Sequence, residues 1–87
     1  MLNEIILLHN QSKLTMKQNV TGKKISKIRK NKKITQKDMI ARLQLIGLDM
    51  SRSTYSKVEL ELRQVRDFEL IAFAKALKVD VRELFND

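Results

Sequence analysis

The sequence predicts an all-α fold, a compact five-helix domain with an N-terminal extension. Helix-start signals recur along the chain, and the stretches between them carry apolar residues at helical spacing. Proline is absent, glycine occurs twice, and no segment alternates with period two for long enough to predict a strand. Since 87 residues suffice for one domain only, we expect the domain at 21–87 and the extension at 1–20.

Two of the helix starts are especially well marked. Thr35 is an N-cap candidate with Asp38 three residues later, and Ile34 and Met39 are spaced as a hydrophobic staple. Ser51 is a second N-cap candidate, with the pair Met50 and Tyr55 as its staple. Weaker starts lie at Thr21, at Asp67, and at Asp80 with Glu83 closing a capping box. Together they predict helices at about 22–31, 36–46, 52–61 and 68–77, and a short fifth one with Val81, Leu84 and Phe85.

The N-terminal extension opens with an apolar run that includes Ile5 to Leu8. This run is shorter than the roughly 18 residues of a membrane span, and it lacks the basic start and cleavage site of a signal peptide. Two interpretations stay open: an extra helix or strand packed on the domain, or a dispensable, disordered leader. The single histidine, His9, is expected at its surface.

Charge is concentrated in the first half of the chain. The formal net charge is +8; residues 1–44 carry +9 and residues 45–87 carry −1. No acid lies between Ile5 and Lys37. Such asymmetry indicates one face that meets a polyanion such as nucleic acid.

The sequence lacks the residue types that most catalytic sites and metal sites require. With no cysteine and one histidine, the chain offers no thiolate nucleophile and no cysteine or multi-histidine metal site. Nor do paired carboxylates or a base beside a nucleophile stand out. We therefore predict a protein that is not an enzyme and uses no metal or cofactor.

The second and third predicted helices, joined by a turn containing Gly47, form a helix-turn-helix pattern. In it the sequence resembles the Xre family, DNA-binding proteins of the phage-repressor and Cro type. The resemblance covers roughly 22–85, and its most specific parts are Thr35-Gln36, Ala41, the run 51–54 and the run 74–77.

Three features depart from the family pattern. The stretch from Ala41 to Ser51 is about three residues longer, so the second helix is extended or the turn is wider. Glu61 stands where a glycine often follows the third helix, which predicts that this helix runs on by a turn. Lys33 replaces the glycine expected before Ile34, so Asn31 is expected to take the positive φ.

The resemblance implies that the third helix enters the major groove of double-stranded DNA. Tyr55, Val58 and Leu62 are expected to face the core, which leaves the other face for base edges. Arg52 can form a bidentate hydrogen-bonded pair with guanine. The alternative is that Arg52 and Ser53 are only a solvated first helical turn. The predicted base-reading residues are Arg52, Ser53, Ser56 and Lys57.

Phosphate contacts are expected at the first turns of both helices, where free N–H groups attract anions. Gln36 is similar to the family glutamine that contacts a phosphate; its alternative role is local capping. The predicted phosphate-binding residues are Thr35, Gln36, Lys37, Ser51 and Thr54. Further cations are Lys23, Lys24, Lys27, Lys30, Lys32, Lys33 and Arg42, most of them expected to be solvated.

By the same resemblance, Arg29 and Glu59 would form a partly buried, structural ion pair between the first and third helices. The family also implies a homodimer on a palindromic operator, with Val79, Val81 and Phe85 at the interface. The alternative is that these side chains, like Leu84, fill the core of the monomer.

The sequence thus predicts a sequence-specific transcriptional regulator, a repressor of phage, mobile-element or bacterial type that acts in the cytoplasm. The alternative is an antitoxin that neutralises a toxin and autoregulates through the same domain, with Ile5 to Leu8 as its partner-binding segment. An anti-repressor is another possible protein partner. RNA binding is disfavoured, because the three phenylalanines and one tyrosine are expected mostly at core positions and not on a base-stacking surface. A membrane surface is disfavoured, because the basic first helix offers lipid only Ile25 and Ile28 and the chain has no tryptophan.

Overall fold

The computed structural model describes residues 17–85, and these residues form helices without any strand. The prediction of an all-α fold is therefore confirmed. Residues 1–16, with the apolar run Ile5 to Leu8 and His9, lie outside the described residues, so the division at residue 20 stays a prediction. The elements are α1 (Gly22–Asn31), α2 (Gln36–Ile46), α3 (Arg52–Glu59), α4 (Asp67–Leu77) and a 3₁₀ helix (Val81–Phe85).

The boundaries of α1 and α2 agree with the predicted ranges, and those of later elements differ in detail. The predicted extension of the third helix is wrong, because α3 ends at Glu59. The N-cap of α4 is Arg66 rather than Asp67, and the Arg66 N–H donates to Glu69 Oε1 at 2.9 Å. The predicted fifth helix is a single 3₁₀ segment.

The core lies where the four α-helices and the 3₁₀ helix meet. Tyr55 and Phe73 pack edge to face, with ring centroids 6.1 Å apart. The prediction that Leu62 faces the core is wrong: it is 62% exposed, because α3 ends before it. The fully buried apolar side chains are Ile25, Met39, Leu43, Tyr55, Val58, Phe73, Leu77 and Leu84.

Non-glycine residues adopt the left-handed conformation at the two places where glycine was expected. Lys33, not Asn31, has the positive φ, at 59°, so that prediction is corrected. Glu61 follows α3 with φ 61° and a buried side chain. Its Oε2 accepts from the N–H of Lys23 at 3.3 Å, so a carboxylate lies at the N-terminus of α1, where it is electrostatically favourable. That contact offsets part of the cost of the strained backbone.

Asn19 joins the start of α1 to the end of α3. Thr21 occupies the N-cap position but makes no side-chain capping bond. Instead, Asn19 Oδ1 accepts from the N–H groups of Thr21 and Gly22 at 3.1 and 2.7 Å. Its Nδ2 donates to the carbonyl oxygens of Val58 and Arg63 at 3.1 and 2.8 Å. One amide thus caps one helix and fixes another against it.

The same junction explains why residue 22 is a glycine. A Cβ atom built on this residue would lie 2.0 Å from the carbonyl oxygen of Val58, far inside van der Waals contact. Only glycine permits α1 and α3 to approach this closely.

We expect Gly22→Ala to destabilise the fold by about 1–3 kcal/mol or more, since the backbones must separate and the Asn19 bonds lengthen. Urea unfolding followed by circular dichroism measures this loss. Gly47→Ala is the matched control: nothing lies within 4 Å of its added Cβ, and only its φ of 106° is unfavourable. A Gly22→Ala variant as stable as the wild type would contradict the steric explanation, whereas Gly47→Ala measures the cost of an unfavourable φ alone.

Candidate nucleic-acid interface

The N-termini of α2 and α3 lie side by side. Both helices begin with a side-chain cap: Thr35 Oγ1 accepts from the N–H of Asp38 at 3.0 Å, and Ser51 Oγ accepts from that of Thr54 at 3.1 Å. The first residues of the two helices touch, because Arg52 Nε donates to Gln36 Oε1 at 3.4 Å. Two positive helix ends therefore share one edge of the molecule.

The connection between α2 and α3 accommodates the extra residues. Helix α2 continues to Ile46 and ends at Gly47, which has a φ of 106°. The N–H of Leu48 then donates to the carbonyl oxygen of Leu43 at 2.9 Å and closes the helix end. A five-residue connection, 47–51, follows before α3. The stretch from Ala41 to Ser51 thus consists of the second half of α2 and this connection.

The carboxylate of Glu59 is the centre of a hydrogen-bonded network. Arg29 Nε lies 2.6 Å from Glu59 Oε2, and Arg29 Nη2 donates to Oε1 at 3.1 Å. The Tyr55 hydroxyl donates to Oε2, and Gln36 Nε2 donates to Oε1 at 3.1 Å. Arg29 Nη1 also donates to the carbonyl oxygen of Ile34 at 2.7 Å. The network therefore links α1, α2 and α3.

This network is buried, and burial together with its hydrogen bonds shifts the pKa values of Glu59 and Tyr55. The side chains of Arg29 and Glu59 are 9% and 6% exposed. Burial alone would raise the pKa of Glu59, but hydrogen bonds from Arg29, Tyr55 and Gln36 outweigh it and hold the pKa below the ordinary 4.5. Burial and the bond to Glu59 raise the pKa of the Tyr55 hydroxyl. Glu59 is therefore ionised, and Tyr55 a donor, at neutral pH.

The network reaches the protein surface through one side chain. Gln36 donates to Glu59 with Nε2 and accepts from Arg52 with Oε1. An amide held at both ends has its O and N positions fixed by its partners. The buried ion pair is thus connected by Gln36 to Arg52, the first residue of α3.

The residues predicted to read bases share the outer face of α3. Arg52, Ser53 and Lys57 are exposed and Ser56 is half-buried. Tyr55 and Val58, on the opposite face, are fully buried.

The residues predicted to bind phosphate differ in whether their polar atoms already have hydrogen-bond partners within the protein. Lys37 is exposed, but Thr35 and Ser51 use their oxygens as caps, and Ser51 also donates to Thr54 Oγ1 at 2.9 Å. Gln36 is engaged by Glu59 and Arg52.

Two of the candidate cations have structural roles. Lys32 Nζ donates to the carbonyl oxygen of Leu77 at 2.7 Å, and Arg42 Nη1 donates to that of Ala76 at 3.0 Å. Both side chains therefore cap the C-terminus of α4. The remaining candidates are exposed, or half-buried for Lys24: Lys23, Lys24, Lys27, Lys30 and Lys33.

Sequence reasoning missed most of the Glu59 network. The positions of Tyr55 and Glu59, four residues apart on one helix, were a signal that they could meet. No spacing in the sequence indicated that Gln36, from another helix, joins Glu59 to Arg52.

Residues 17–85 hold neither a metal-binding cluster nor a membrane-spanning helix. No group of three or more histidine, cysteine, aspartate or glutamate side chains there is arranged to hold a metal ion. None of the described helices has the length and apolar character needed to cross a bilayer.

Acid is expected to destabilise the protein through Glu59. Because the folded pKa lies below 4.5, the unfolded chain takes up a proton first, and stability present above that pH is lost as pH falls through the folded pKa. Glu69, paired with Arg63 at 3.0 Å, also has a lowered pKa and acts in the same direction. Urea unfolding at a series of pH values measures this dependence.

We expect Glu59→Gln to lose about 3–5 kcal/mol at neutral pH, since Arg29 keeps a buried charge without its counter-ion. The variant should also depend less steeply on pH below 4.5, with Glu69 supplying the remainder. An unchanged pH dependence would contradict the role assigned to Glu59.

A family model described as helix-turn-helix matches residues 25–84, which include α2, α3 and the connection between them. No curated protein and no solved structure gives a significant match. The matched range covers most of the chain and contains the whole Glu59 network. The chain therefore belongs to the Xre-type helix-turn-helix family of DNA-binding transcription regulators.

Proposed function

We propose that this protein is a sequence-specific repressor that inserts α3 into the major groove of double-stranded DNA. The observation that carries the proposal is the shared edge of α2 and α3, where two capped helix N-termini meet beside exposed Arg52, Ser53 and Lys57. A recognition helix approaches base edges with its N-terminal residues, which are these.

Arg52 is the proposed base-reading anchor. Its Nε is engaged by Gln36, which leaves the two terminal Nη groups for the O6 and N7 acceptors of a guanine. A guanidinium held in this way loses less rotational freedom on binding than a free one. Lys57, one turn further along α3, reaches a second base or a phosphate.

The proposed phosphate contacts flank this edge. Lys37 and the first-turn N–H groups of α2 and α3 attract the phosphates of the two DNA strands that border the major groove. The exposed lysines of α1 add a long-range electrostatic attraction to DNA. Thr35, Ser51 and Thr54 support these phosphate contacts indirectly, since their hydrogen bonds fix the first turns of α2 and α3. The side-chain amide of Gln36 is proposed to contact a phosphate directly.

We further propose a homodimer on a palindromic operator in the cytoplasm of a bacterial or phage-infected cell. Phe85, at the end of the 3₁₀ helix, is 54% exposed and is the most exposed of the three residues expected at the interface. Val79 and Val81 are half-buried, whereas Leu84 belongs to the core. A two-fold dimer would read half-sites about 34–36 Å apart.

The antitoxin alternative is favoured by one specific observation. Leu45 is 89% exposed, and Ile46, Phe68 and Ile71 are 41–53% exposed along α2 and α4. This apolar strip, with Lys75 beside it, lies at the C-terminal end of α2, away from the proposed DNA edge. Exposed apolar surface of this kind suits a protein partner such as a toxin or an anti-repressor.

Arg52→Ala should relax base preference at one operator position. Selection of bound sequences from a random duplex library at fixed salt should give a palindromic motif for the wild type. In the variant, discrimination at that base should fall by about 1–3 kcal/mol while the other positions keep their preferences. Lys75→Ala, a charge loss on α4, is the control. The proposal fails if both variants weaken binding uniformly or if the wild type enriches no motif.

Gln36→Met tests whether Gln36 positions Arg52. It keeps a similar length and removes both hydrogen bonds, while Arg29 and Tyr55 still bind Glu59. We expect partial loss of discrimination at the Arg52-dependent base. A double-mutant cycle with Arg52→Ala should show a coupling of about 0.5–3 kcal/mol. Additive effects would contradict a positioning role for Gln36.

A further inference from the structure

We propose that residues 2–8 of this chain pack into an uncharged groove between the start of α1, the loop before α4 and the 3₁₀ helix. We call this surface the N-terminal groove; its apolar lining consists of Val20, Val65, Leu70 and Phe85. This internal contact goes beyond DNA recognition and does not depend on it.

The groove exposes apolar surface that a small domain normally covers. Val20 is 73% exposed and Phe85 is 54% exposed, while Val65 and Leu70 are half-buried against the core. Exposed side chains placed next to partly buried ones form a surface that a further apolar segment can complete.

The polar part of the lining is neutral. It includes Gln18 and Gln64, and none of the eight lining residues is charged, although 32% of the chain is. Thr21 also lines the groove; its Oγ1 is buried and has no hydrogen-bond partner among the described residues.

The chain is fixed where it reaches the groove. The N–H of Gln18 donates to the carbonyl oxygen of Glu61 at 2.8 Å, and Asn19 Nδ2 donates to that of Arg63 at 2.8 Å. Residues 9–16 then leave a tether of up to about 26 Å at roughly 3.3 Å per residue. Residues 2–8 are therefore held close to the groove at a high effective concentration.

The composition of the segment matches this lining. Residues 1–12 contain Leu2, Ile5, Ile6, Leu7 and Leu8 and a single formal charge, at Glu4. An apolar segment of low charge matches a groove whose lining has no charged side chain. A second copy is less suited to this groove, because it must lose its translational freedom on binding and a tethered segment does not.

Disulfide trapping in the full-length chain tests this inference, because the protein has no cysteine of its own. The pair Asn3→Cys with Gln64→Cys places one thiol in the segment and one at the groove. The control pair, Asn3→Cys with Gln44→Cys, places the second thiol at an exposed position of α2 beside the other apolar strip. Circular dichroism verifies that both variants are folded.

We expect the groove pair to form an intramolecular cross-link on the order of tenfold faster than the control pair. Adding Ile5→Asp and Leu8→Asp should abolish this advantage, since the apolar contact is lost while the tether is unchanged. Equal rates for the two pairs would overturn the inference, as would an advantage that survives the aspartates. Mainly intermolecular cross-links would overturn it in favour of a second copy.

Discussion

The carboxylate of Glu59 is the group on which the rest of the structure depends. A buried carboxylate is tolerated only when charge and hydrogen bonds compensate its lost hydration, and Arg29, Tyr55 and Gln36 supply both. These donors come from α1, α3 and α2, so a single acid fixes the relative placement of the three helices. The edge proposed to meet DNA is thus held by an interaction beneath it.

The junction of α1 and α3 is a second constraint, of steric origin. Gly22 permits the close approach, Asn19 spans it, and Glu61 adds a carboxylate at the start of α1. These contacts connect residues about 40 positions apart in sequence. Together with the pair of Arg29 and Glu59, they hold α1 against the C-terminal end of α3.

Local signals predicted α2 and the start of α3, because caps and staples act within one turn. Thr35 and Ser51 cap as expected, and Ile34, Met39, Met50 and Tyr55 are buried. The end of α3 was mispredicted since Glu61 adopts positive φ with a compensating contact to Lys23, which is distant in sequence. The link from Glu59 through Gln36 to Arg52 likewise arises from tertiary packing, although the pair of Arg29 and Glu59 was expected from family resemblance.

The double engagement of Gln36 bears on how binding specificity can diverge among descendants of this protein. Substitution of Gln36 would remove hydrogen bonds to both the buried carboxylate of Glu59 and Arg52. A substitution at this position is therefore a less favourable route to a new binding specificity. Ser53, Ser56 and Lys57 make no side-chain hydrogen bond within residues 17–85 and can be exchanged with little effect on folding. If α3 reads bases as proposed, evolutionary change in recognition should concentrate at these three positions, while the Glu59 network is retained.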